Sequence, residues 1–66
     1  MNELEKLNQI FALVNMSAFC EKYGLSYSFT RKVLKGERKL SEKFVQSAKL
    51  ALLQYQADLM AGIGDL

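Results

Sequence analysis

The feature that most constrains this chain is its punctuation. Proline is absent, and the four glycines stand at 24, 36, 62 and 64, so long stretches carry no helix breaker. Between those stops the apolar residues recur at helical intervals. Leu4, Leu7, Ile10, Phe11 and Val14 lie three and four apart, which predicts a first helix from Asn2 to Val14. Asn15 is then an N-cap, its side-chain oxygen able to accept from free N–H groups, for a short second helix from Met16 to Tyr23. Gly24 can stop that helix in a left-handed conformation, with Leu25 as an apolar plug. Ser26 caps a third helix from Tyr27 to about Lys35, which Gly36 ends. After the loop Gly36-Glu37-Arg38-Lys39-Leu40, Ser41 caps a long fourth helix that reaches Ala61, leaving Gly62 to Leu66 as a fraying tail. The expectation is an all-α fold of four helices, the last one long, with no competing strand pattern.

Sixty-six residues make one domain, 1–66. A domain of this size buries only about 60% of the surface its unfolded chain exposes, so its core is small and oligomerisation would help it. Half the residues are apolar and 24% are charged, a globular balance. Cys20 is the single cysteine and there is no histidine, so neither a disulfide framework nor the usual zinc ligand sets can be assembled. Without histidine or a paired-acid constellation, general acid–base machinery is hard to build, and an enzyme is the least expected reading. No metal, cofactor or small-molecule ligand is expected. Cys20 itself reads as a small packing residue. The N-terminal MNELEKLNQIFALV mixes acids and bases, and its run IFALV is too short for a signal segment or a membrane span. A cytoplasmic protein without a membrane partner is the resulting expectation.

Net charge is only +2 but unevenly placed. Residues 31–43 hold six bases (Arg31, Lys32, Lys35, Arg38, Lys39, Lys43) against two acids (Glu37, Glu42), a local +4, so the remainder sums to −2. A basic patch on a nearly neutral protein suits phosphate binding, because neutralised phosphates release counterions. A solvated surface run would show the same charges.

Within residues 16–36, MSAFCEKYGLSYSFTRKVLKG, Phe19, Tyr23 and Leu25 supply the apolar side of one short helix and its turn, and Val33 and Leu34 that of the next. Two helices crossing at roughly 90–120° pack closely only over a small residue. Gly36, the basic loop Glu37-Arg38-Lys39, Leu40 and the capping Ser41 follow in order. This segment resembles the helix-turn-helix of the Cro and lambda-repressor-like family, and the resemblance covers residues 15–52. Cys20 stands where that family usually has alanine. Thr30 departs from the pattern, standing where Val or Ile is usual; its shape fits, but its hydroxyl must find a carbonyl. The resemblance implies a lambda-repressor-like four-helix domain, double-stranded DNA as partner, and a transcriptional regulator governed by its concentration and dimerisation.

Turning the third helix by about 100° per residue separates two faces. Thr30, Val33 and Leu34 share one arc, with Phe29 and Tyr27 at its edges, while Ser28, Arg31, Lys32 and Lys35 occupy the other. The N-terminal residues of a recognition helix point most directly at base edges, so Tyr27, Ser28 and Lys32 are the candidates for base contact. Arg31, Lys35, Arg38 and Lys39 are the candidates for phosphate contact, which positions the protein without reading sequence. Alternatives stand beside these assignments: Tyr27 as cover for the core edge, Phe29 as core or wedge, and Arg38 and Lys39 as solvated loop charges.

On the fourth helix Phe44, Val45, Ala48, Ala51, Leu52, Tyr55 and Leu59 form a broad core face, and Leu50, Leu53, Ala57 and Met60 a second strip opposite. The strip is either the interface of a twofold homodimer on inverted half-sites or a seat for the first helix. The reading as a whole is a sequence-specific regulator, of the kind phages and mobile elements use as repressors, acting on an inverted-repeat operator. A restriction-modification controller is a close variant. The rival from another class is a helical interaction module, antitoxin-like or an adaptor, that does not bind DNA. Such a module would show apolar residues on the outer face of the third helix.

Overall fold

The structure is a computed structural model that describes residues 2–66. Four helices follow one another, α1 (Glu3–Phe11), α2 (Met16–Tyr23), α3 (Tyr27–Leu34) and α4 (Glu42–Gly64), and the described residues include no strand. Each helix begins at a side chain that can accept from the backbone. Asn2 takes the Glu5 N–H at 2.8 Å, Asn15 that of Ala18 at 3.2 Å, Ser26 that of Phe29 at 3.2 Å and Ser41 that of Phe44 at 3.1 Å. Caps of this kind contribute roughly 1 kcal/mol each. Met16 to Tyr23 has the expected bounds. The third helix ends one residue early, at Leu34, with Lys35 as its C-cap.

Two glycines carry the turns around α3. Gly24 sits at φ 76° and Gly36 at φ 82°, and after each the next N–H reaches back five residues, Leu25 to the Cys20 carbonyl at 2.9 Å and Glu37 to that of Lys32 at 2.8 Å. A Cβ added at either glycine would meet no atom within 4 Å. Backbone handedness, not space, is what calls for glycine here.

Two helix ends differ from expectation. The first stops at Phe11, three residues short of Val14, and the chain tightens into i→i−3 bonds, Leu13 N–H to Ile10 O at 3.0 Å and Val14 N–H to Phe11 O at 3.2 Å. Asn15, extended (ψ 96°), follows at once and caps α2. The fourth helix runs through Gly62 and ends at Gly64 instead of fraying after Ala61. Each glycine costs about 1 kcal/mol against alanine, which a long run of good helix formers can carry once it has nucleated.

All four helices feed one core, made of Leu7, Phe11, Phe19, Cys20, Val33, Phe44, Ala48 and Ala51 with Thr30 among them. Phe19 is its aromatic centre, with ring centroids 5.5 Å from Phe11, 5.1 Å from Tyr23 and 5.6 Å from Tyr55. Such pairs add about 0.5–1.5 kcal/mol beyond the area they bury. Two residues placed on core faces by periodicity lie outside it, Ile10 at 42% exposure and Leu59 at 49%. At 23 residues α4 is about 35 Å long, so it overshoots a bundle built on helices of eight and nine residues. The molecule accordingly measures 40 × 25 × 19 Å, and its radius of gyration is 12.3 Å against roughly 11 Å for a compact domain of this length. No helix among the described residues is long and apolar enough to cross a membrane.

Candidate nucleic-acid interface

α3 is held from beneath and at both ends. Val33 and Thr30 anchor it in the core at 0% and 1% exposure, and the turns at Gly24 and Gly36 bound it in sequence. Asn8 on α1 completes the fixture: its Nδ2 donates to the Leu34 carbonyl at 3.0 Å, at the free C-terminal end of α3, and to the Leu4 carbonyl at 3.0 Å. One amide thus ties two helices and satisfies a carbonyl that a helix end otherwise leaves to water.

The face turned outward gathers the expected residues. Tyr27, Ser28, Arg31, Lys32 and Lys35 are all exposed and, with Glu37, line a shallow concavity of about 210 Å³. The Arg31 guanidinium lies over the Tyr27 ring, 5.7 Å from its centroid, one helical turn apart. Tyr27 is 41% exposed, and its ring supports Arg31. Arg38 and Lys39 are exposed in the following loop but do not border the concavity. Chemically, this is a convex helix carrying three cations, one hydroxyl and one phenol, which can meet phosphate oxygens and base-edge acceptors. Phe29 lies at the other edge, half in solvent, packed on Phe44 at 5.8 Å between centroids.

Thr30 does not find the carbonyl expected for it. Its Oγ1 is buried without a hydrogen-bond partner. Beside it is the Cys20 thiol, pushed up from its ordinary pKa by burial and drawn partway back by the Thr30 side chain. A thiol is a weak partner, so this contact leaves the hydroxyl effectively unpaired. The threonine fits by shape alone, as a stand-in for valine.

Sequence reasoning missed three features around the motif. Glu37, one of the two acids set against the basic run, lies on the rim of the concavity beside the bases. The Asn8 tie joins residues 26 apart in the chain. On the far side of α2, Tyr23 Oη donates to Asp58 Oδ2 at 2.6 Å, and Gln54 Nε2 donates to Asp58 Oδ1 at 3.0 Å. The Tyr23 bond is the main reason that the Asp58 carboxyl is held below the ordinary carboxylate value and that the phenol is pushed up to about 12.

The strip on α4 is open: Leu50, Leu53, Ala57 and Met60 are all exposed. α1 does not seat on it. Instead α1 and α4 frame an apolar groove, which Leu53 borders and Leu50, Ala57 and Met60 do not. Among the described residues no group of histidine, cysteine or acidic side chains is placed to hold a metal ion. Comparison with protein-family models, with curated proteins and with solved structures finds no match to this chain.

Proposed function

We propose that this protein is a sequence-specific DNA-binding transcriptional regulator, a Cro-like repressor of the phage or mobile-element kind, folded as a lambda-repressor-like domain with α2 and α3 as its helix-turn-helix. The observation that carries the reading is the outward face of α3, where Tyr27, Ser28, Arg31, Lys32 and Lys35 stand together in solvent on a helix anchored by Val33 and Thr30. Tyr27, Ser28 and Lys32 read base edges, and Arg31, Lys35, Arg38 and Lys39 hold phosphates. The protein acts as a twofold homodimer on an inverted-repeat operator, and α4, whose apolar strip Leu50, Leu53, Ala57 and Met60 is exposed, carries the contact between copies.

The test is a mobility shift with the DNA upstream of its own gene against random DNA of equal length, over a salt series. The reading expects a preferred sequence and an affinity that falls steeply with salt. Equal retention of both DNAs, or no shift at low salt, would refute it. The second reading, a helical interaction module that leaves DNA alone, draws its support from the apolar groove between α1 and α4. Its mark would be a protein complex that survives replacement of Arg31 and Lys32.

A further inference from the structure

Beyond Tyr55 α4 leaves the core, and every residue from Gln56 to Gly64 is exposed. These turns are propagated from the nucleated part of α4 at the cost of two glycines, and anything that packs on them adds to their stability. The groove between α1 and α4 has a volume of about 610 Å³, and Ile10, Leu13, Leu52, Leu53 and Leu59 line it. Of its lining positions on α4, Val45, Lys49, Leu52, Gln56 and Leu59 advance by four, three, four and three, with Leu53 and Tyr55 flanking them, and the exposed Ile63 takes the next step of four. That is the 3.5-residue period of a seam between paired helices. It runs past the last core residue onto the projecting turns, where this chain has no helix of its own to offer.

We infer that two copies lay their α4 helices antiparallel, so that each projecting end fills the other's α1/α4 groove. The inference rests on the twofold association proposed above and names its surface on α4: on a helical wheel the seam lies roughly 90° from the strip centred between Leu50 and Met60. Two observations favour a second copy as occupant. The projecting end supplies the apolar side chains Leu59, Met60 and Ile63 that the groove lacks a partner for. The exposed surface of Ile10, Leu13, Leu53, Leu59, Met60 and Ile63 amounts to several hundred Å², on the order of the roughly 800 Å² each partner gives to a standard interface.

Twofold symmetry then sets the register, because residue i meets j wherever j meets i. With Ile63 at the level of the partner's Lys49, the axis passes beside Gln56, and the two glutamine amides face each other across it. A polar residue in an apolar seam favours that one alignment over slipped ones.

Single-cysteine substitutions at exposed positions test this. Gln56→Cys should form a disulfide-linked dimer under mild oxidation, and Leu50→Cys should not. Cross-linking at 50 but not at 56, or equally at both, overturns the groove seam while leaving twofold association standing. No cross-link at either, with monomer mass in sedimentation, overturns both. Leu13→Glu adds an independent reading: Leu13 is 86% exposed in the single chain, so helicity should be unchanged while the sedimenting mass falls from twice the chain mass to one. An unchanged mass overturns the seam.

Discussion

Helices α3 and α4 each turn a face to solvent, and the two faces have opposite chemistry. On α3 the outward residues are polar or cationic and the helix is short, glycine-stopped and anchored in the core along its length. On α4 the outward flank is apolar, and the helix extends well past the last core residue. The first is complete as a folded element and presents charge; the second depends on whatever covers it. A small domain gains little from exposing Leu53, Leu59, Met60 and Ile63 alone, so the contrast separates a surface for a charged partner from one for an apolar partner.

The sharpest way to break this contrast is through stability. Phe19→Ala, at the aromatic centre, should cost about 3–5 kcal/mol, on the scale of the whole stability of a domain this small. Leu59→Ala should cost under about 0.5 kcal/mol in dilute chemical denaturation. A large loss for Leu59→Ala at low concentration would mean that the end of α4 belongs to the core after all. Next comes the basic face. Lys32→Ala should cost about 1–3 kcal/mol at the preferred sequence and relax preference at one base position, whereas Lys39→Ala should weaken all DNAs alike and lower the salt slope by about one. Titrations by fluorescence anisotropy on preferred and random duplexes would distinguish them, and identical profiles would erase the division between reading and holding.

Beneath the basic face, Thr30→Val removes a buried hydroxyl without a partner and should stabilise the domain by about 1–2 kcal/mol in urea denaturation. A loss of stability instead would show that the hydroxyl is bonded in solution. The smallest effect concerns the tie from α2 to α4. Because Asp58 is depressed in the folded protein, its contribution is present above the ordinary carboxylate pKa and is lost as pH falls through the lowered value. Tyr23 is raised to about 12, so its share persists below pH 10 and is lost as pH climbs toward 12. Tyr23→Phe should move the Asp58 carboxyl resonance midpoint upward toward its ordinary value in an NMR titration; an unmoved midpoint would discount the bond.

What could be read from the residues, and what could not, follows from distance along the chain. The caps at Asn15, Ser26 and Ser41 and the stops at Gly24 and Gly36 are local bargains between a side chain and the next few N–H groups, so the sequence shows them directly. The outward face of α3 was legible for the same reason, because periodicity and charge are both properties of eight consecutive residues. Periodicity also marks Ile10 and Leu59 as apolar, but it cannot say whether a neighbouring helix is long enough to reach them. α1 ends three residues early, although Val14 continues its apolar spacing. The Asn8–Leu34 and Tyr23–Asp58 bonds join residues 26 and 35 apart, and nothing in their immediate surroundings announces them.

Asn8 has a consequence in chemical time. Its side-chain nitrogen uses both hydrogens, one toward Leu4 and one toward Leu34, and no other natural side chain of that length offers two donors on one atom. Hydrolysis of the amide, the slow fate of asparagine in ageing proteins, would replace both donors with a carboxylate and set a negative charge against two carbonyl oxygens. The clasp between α1 and the end of α3 would then become a repulsion. Loss of the amide at residue 8 would thus register as a loosening of the helix that bears the basic face.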